Sequence, residues 1–128
     1  VTFDTPTRGR LQRLVDQARD LLIAELTAQC QGTYGIQPDG STLPLDRLAH
    51  LPVEEQTRAG LLRERIDHLA ATATGKQPRA DAVDRLIREQ AFTVLNRLCA
   101  LRLCEERGLV QECVGAGDQS KGFRLFEQ

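Results

Sequence analysis

The apolar residues of this chain recur at helical spacing along most of its length. Leu11, Leu14, Val15, Ala18, Leu22 and Leu26 follow the three, four, seven pattern of one stripe, while Arg10, Arg13, Gln17, Asp20 and Glu25 fall outside it. The dipeptide Thr5-Pro6 supplies a helix N-cap followed by proline at the first helical position, so the spacing predicts a first helix from there to about Gly32. Four glycine or proline residues then fall within positions 32–40, and Pro38-Asp39-Gly40 is a tight-turn signal, so this stretch is expected as a loop. A helical turn around residues 46–50 follows, tacked down by Leu43, Leu45, Leu48 and Leu51.

Leu51-Pro52-Val53-Glu54-Glu55 repeats the start grammar, with acids in the first turn where the helix dipole favours them. A second helix runs to about Ala73 on the stripe Ala59, Leu62, Ile66, Leu69 and Ala73, and Thr74-Gly75-Lys76-Gln77-Pro78 stops it. Asp81, with Asp84 three residues on, is expected to cap a third helix that continues to Gly108. Val83, Leu86, Ile87, Gln90, Ala91, Val94, Leu95, Leu98, Leu101 and Leu103 wrap more than one side of it, which marks a central helix buried against two neighbours. Residues 109–128 are broken by Gly115, Gly117 and Gly122 and end on an apolar anchor of Phe123, Leu125 and Phe126. The expected fold is all-α, one domain over 1–128: an irregular bundle of three long helices and one or two short ones.

Composition agrees with that pattern. Hydrophobic residues make up 41% and charged residues 27% of 128, within the globular range, and only five residues are aromatic. The 17 basic residues balance 18 acids for a net charge of -1, so binding to nucleic acid has to use a local patch. Lys76 and Lys121 are the only lysines; the arginine bias fits planar phosphate or carboxylate pairing, and it fits a GC-rich genome better. No apolar run approaches the roughly 20 residues of a membrane helix, and no signal peptide opens the chain, so a soluble cytoplasmic protein without membrane contact is expected. The chain opens at Val1 without methionine and closes at Gln128 within an apolar segment, which suggests truncation there.

Few residues suggest chemistry. Gly115-Ala116-Gly117 superficially resembles a nucleotide-cradling turn, but a helix precedes it where a buried strand is needed, and Lys121 is followed by glycine instead of Ser or Thr. Cys99 and Cys104 stand five apart, with Cys30 and Cys113 remote, so no zinc spacing exists and core packing is the expectation. His50 and His68 share no ligand spacing, and neither Ser41 nor Ser120 lies in a nucleophile elbow. No catalytic, cofactor-binding or metal-binding residue is therefore assigned.

Two polar features remain. Asn96, Arg97 and Arg102 lie within the most apolar helix, where a buried, unpaired arginine would cost roughly 3–5 kcal/mol. Arg97 therefore needs a carboxylate such as Glu89 or Asp67 inside the bundle, or a partner outside it. Arg8, Arg10 and Arg13 cluster at the chain's start, where helix N-terminal N–H groups could join Arg8 on a phosphate. These six residues are the candidates for DNA-backbone or interdomain contact.

From Thr5 to Phe126 the chain resembles the N-terminal helical region of large adenine-specific DNA methyltransferases of bacterial phage defence, the BREX and DISARM type, and of related restriction-modification enzymes. The resemblance is carried by Pro6-Thr7-Arg8-Gly9-Arg10-Leu11, Gly32-Thr33-Tyr34-Gly35-Ile36, Arg63-Glu64-Arg65-Ile66 and Gln119-Ser120-Lys121-Gly122-Phe123. Its main part is Glu89-Gln90-Ala91-Phe92-Thr93-Val94-Leu95-Asn96-Arg97-Leu98 with Glu105-Glu106-Arg107-Gly108-Leu109-Val110. The resemblance implies a later catalytic domain with an Asp/Asn-Pro-Pro-Tyr loop for the flipped adenine and a glycine-rich loop for S-adenosylmethionine. Neither motif occurs here, since Asn96 is the only asparagine and no two prolines are adjacent. What is implied is a non-catalytic front module that supports the catalytic domain of the same protein and contacts DNA or other defence-system subunits. The alternative is a free-standing helical interaction or dimerisation module that uses Phe123, Leu125 and Phe126.

Overall fold

The computed structural model describes residues 2–126, with the Phe126 side chain outside the description. The fold is all-α: three long helices, α1 (Thr5–Gly32), α2 (Val53–Thr72) and α3 (Pro78–Glu106), and one short one, α4 (Lys121–Phe126). Two 3-10 turns, Leu45–Leu48 and Gly117–Gln119, fill the connections. The backbone groups into two compact units, one through Ala91 and one from Phe92 on, and α3 runs from the first into the second.

Asp4, not Thr5, caps α1: its carboxylate accepts the Thr7 N–H at 2.9 Å, and Pro6 sits in the first turn, where no N–H is missed. Pro52 precedes α2 as expected. Pro78, by contrast, opens α3 instead of stopping α2, so Asp81 lies inside the first turn and is not the cap. The same missing N–H that ends one helix is harmless at the start of the next. α3 closes on Gly108, whose φ of 67° allows the Leu109 N–H to reach Cys104 O at 2.9 Å and the Gly108 N–H to reach Glu105 O at 2.9 Å.

The first unit's core joins Tyr34 and Ile36 from the 32–40 loop, Leu48, then Ala59, Ile66 and Leu69 of α2 and Ala82, Val83 and Ile87 of α3; Ile23, Leu26 and Cys30 of α1 pack against it. The loop is thus a structural element. Ile36 bridges Thr42 around a turn in which the Gly40 N–H donates to Gln37 O at 2.9 Å. Gly40 takes a φ of 87° against Arg79, whose Nε donates to Gly40 O at 3.0 Å while its guanidinium meets Asp67 at 2.5 Å. Arg79 of α3 so holds the turn and α2 together.

Two expected stripes divide. No residue of α1 is buried, and Leu11 and Leu14 face solvent. In α3 the buried positions stop at Ala91, and Phe92, Leu98, Leu101 and Leu103 are exposed. The expectation of a central helix buried along its length therefore holds only for its first half.

In the second unit, Ser120 is fully buried and its hydroxyl accepts the Ala116 N–H at 3.0 Å, while the Gly122 N–H donates to Glu112 O at 2.8 Å. Gly122 approaches Cys113 so closely that a Cβ there would collide with the thiol.

Candidate functional site

Arg8, Arg10 and Arg13 project from the first turns of α1 and are all exposed; none has an ion-pair partner among the described residues. At 3.6 residues per turn, Arg10 and Arg13 lie roughly 60° apart, with Arg8 roughly 140° or more from each. The helix therefore brings Arg10 and Arg13 to one edge and turns Arg8 toward another. The N–H groups expected to join Arg8 on a phosphate are already engaged. Thr7 N–H is held by the Asp4 carboxylate, and Arg8 N–H by Asp4 O at 3.0 Å. The Thr7 hydroxyl and N–H hold the Asp4 carboxyl below its usual range, so the Asp4 carboxylate itself occupies the anion position at this helix start. Arg19, further along, is tied to Asp16 and Asp20.

Asn96, Arg97 and Arg102 belong to the second unit, and all three are exposed. The buried ion pair expected for Arg97 does not form, because the distal half of α3 is not in the core. Its two candidate partners are engaged elsewhere, Glu89 with Arg85 at 2.8 Å and Asp67 with Arg79. Arg102 is neutralised on its own helix by Glu105 at 3.3 Å and Glu106 at 2.5 Å. Of these three, Asn96 and Arg97, adjacent in sequence, keep polar groups open to a partner.

The turn that superficially resembles a nucleotide cradle is a cradle, and Glu105 fills it. Its carboxylate accepts the N–H groups of Cys113, Val114 and Gly115, the last at 3.1 Å, and its side chain is only 3% exposed. Burial pushes this carboxyl up, but the three N–H donors and the Arg102 guanidinium outweigh it, and the group ends below the usual carboxylate range. Sequence reasoning missed this because the donors lie eight to ten residues from the acceptor. An acid at the end of a helix, where the dipole disfavours it, was the available signal.

A cavity of about 160 Å³ opens between α1, α2 and α3 in the first unit, walled by Leu26, Cys30, Leu62, Leu86, Ile87 and Gln90. None of its lining groups is charged, and burial raises the Cys30 thiol, so the thiol stays protonated and unreactive. All four cysteines are free thiols, and among the described residues no group of three or more His, Cys, Asp or Glu is placed to hold a metal. No described helix is long and apolar enough to cross a membrane. Phe123 and Leu125 of the apolar anchor are exposed, and the Phe126 side chain lies outside the described residues.

Comparison with protein-family models, with curated proteins and with solved structures finds no match.

Proposed function

We propose that this chain is a non-catalytic helical module, the N-terminal part of a DNA-modifying protein of the adenine-specific methyltransferase kind. It supports the catalytic domain and contacts the DNA backbone. S-adenosylmethionine would belong to that later domain, and other subunits of a defence system are further partners of the whole protein.

One observation supports the reading above the others. The distal half of α3 is apolar on more than one side, yet Phe92 is 66% and Leu103 60% exposed, and Leu109 and Val110 continue the exposed apolar surface beyond the helix. A contiguous run of exposed large apolar side chains is ordinarily a contact surface, so this segment has the character of one that further polypeptide covers. The same segment, Glu89 to Leu98 and Glu105 to Val110, carries the main part of the resemblance. Of the six candidate residues, Arg10, Arg13 and Arg97 are exposed cations that the reading assigns to phosphate.

The test is fluorescence anisotropy with a labelled DNA duplex over a salt series. The chain is expected to bind at low salt, with affinity falling as salt rises, and joint charge reversal of Arg10 and Arg13 should weaken binding and flatten the salt dependence. Absence of binding at low salt, or binding indifferent to the reversal, contradicts the DNA contact through this surface.

A further inference from the structure

A second apolar line runs along α1, apart from the residues that meet the core. Leu11, Leu14, Ala18, Leu21, Glu25 and Ala28 alternate spacings of three and four, the heptad seam of a coiled coil. The core-facing residues of this helix are others, Ile23, Leu26 and Cys30. Leu11, Leu14 and Leu21 on the seam are 47%, 62% and 64% exposed. A helix whose first turns pack on nothing is marginal by itself, so the seam calls for a cover.

The charged residues on and beside the seam identify that cover. Glu25 occupies a seam position, and Arg8 flanks the other end; neither has an ion-pair partner in its own chain among the described residues. A second copy packed parallel would set Glu25 against Glu25, a like-charge clash at the centre of the contact. Packed antiparallel, Leu11 faces Leu21 of the second copy and Leu14 faces Ala18. Glu25 then lies against Thr7 and Arg8 of the second copy, beside an Asp4 whose carboxylate is turned back onto its own Thr7. The same arrangement sets the half of α1 that bears Asp4, Arg8, Arg10 and Arg13, net positive, against the half that bears Asp16, Arg19, Asp20 and Glu25, net negative, and it opposes the two helix dipoles.

We propose that α1 pairs with α1 of a second copy of this chain as an antiparallel two-stranded coiled coil, with Glu25 bound to Arg8 across the pair. This pairing is independent of the methyltransferase reading. The seam is short, so the association is weak and concentration dependent.

Sedimentation equilibrium of the full chain, from micromolar to near-millimolar concentration, tests it. The mass should rise toward that of two copies. Leu14→Lys should weaken association by about tenfold or more, with helicity by circular dichroism equal to that of the parent chain when both are too dilute to associate, because Leu14 is exposed. Arg8→Glu and Glu25→Lys should each weaken it, and the double variant should regain most of the loss, as only an antiparallel pair permits. Leu125→Lys, at an exposed apolar site away from α1, should change nothing. A single-copy mass throughout, association lost in Leu125→Lys but not in Leu14→Lys, or a double reversal no better than the single ones would each overturn the proposal.

Discussion

The phenolic hydroxyl of Tyr34 donates to the Glu55 carboxylate at 2.6 Å, joining the glycine-rich loop to the first turn of α2. Tyr34 itself is buried, and Glu55 also holds Arg58 at 2.7 Å, so the contact is part of a small polar network at the edge of the core. Tyr34→Phe keeps the ring and removes the bond, and should cost about 1–2 kcal/mol in a urea or thermal unfolding measurement.

The same bond has a pH consequence. The hydrogen bond to Glu55 raises the Tyr34 hydroxyl above its ordinary value, with burial adding to the rise. A group raised in the folded state stabilises fully below its unfolded pKa and loses that contribution as pH climbs through the folded value. Stability should therefore fall in alkaline solution above the ordinary tyrosine range, and Tyr34→Phe should lose that part of the fall. An identical alkaline profile in the variant would remove Tyr34 as its source.

Glu105 makes the opposite prediction. Its carboxyl is held below the usual range, so its contribution to the second unit is present above the unfolded pKa and is lost as pH falls through the depressed folded value. The amide resonances of Cys113, Val114 and Gly115 should shift together during acid titration, at a midpoint below that of a free glutamate. Glu105→Gln should abolish that shared transition, since the one side chain that accepts from all three amides would no longer titrate.

Glycine positions separate cleanly. Gly40 has a φ of 87°, and a Cβ there would lie 2.7 Å from the Arg79 carbonyl carbon, so Gly40→Ala should cost at least about 1–3 kcal/mol. Gly60, inside α2 with nothing within 4 Å of an added Cβ, should gain roughly 0.5–1 kcal/mol as alanine. Thermal melting of the two variants should move in opposite directions.

The division of α3 is testable in the same way. Ile66, fully buried in the first unit, should lose about 2–5 kcal/mol as alanine. Leu103→Ala should cost well under that in the isolated chain, because the side chain is mostly exposed. A large loss at Leu103 would mean that the distal half of α3 is buried after all.

These variants also mark what was legible in the sequence. The three long helices and their approximate ends were readable because stripes and prolines are local signals, although the caps expected at Thr5 and Asp81 were not the caps, and Gly108 and the Gly40 turn behaved as their chemistry requires. Pro78 was misassigned because proline has the same local cost at a helix end and at a helix start, and the difference is set by the residues that follow. Tyr34 and Ile36 looked like loop residues because nothing nearby shows that a loop folds back into the core. The apolar stripe of α3 was seen correctly but taken as buried: a pattern shows which residues need cover, not whether this chain supplies it. Arg97 followed the same error, since its expected buried partner depended on a burial that does not occur. The Glu105 cradle and the Arg79 clasp involve partners eight to thirty-nine residues away, beyond any periodic signal.

The most direct test of the proposed role is the nucleotide sequence of the source locus beyond the codon for Gln128. The expected result is a reading frame that continues into a glycine-rich cofactor loop and an Asp/Asn-Pro-Pro-Tyr motif. A stop codon directly after Gln128, or a continuation with neither motif, would contradict it and leave a helical module whose partners are other copies or other proteins.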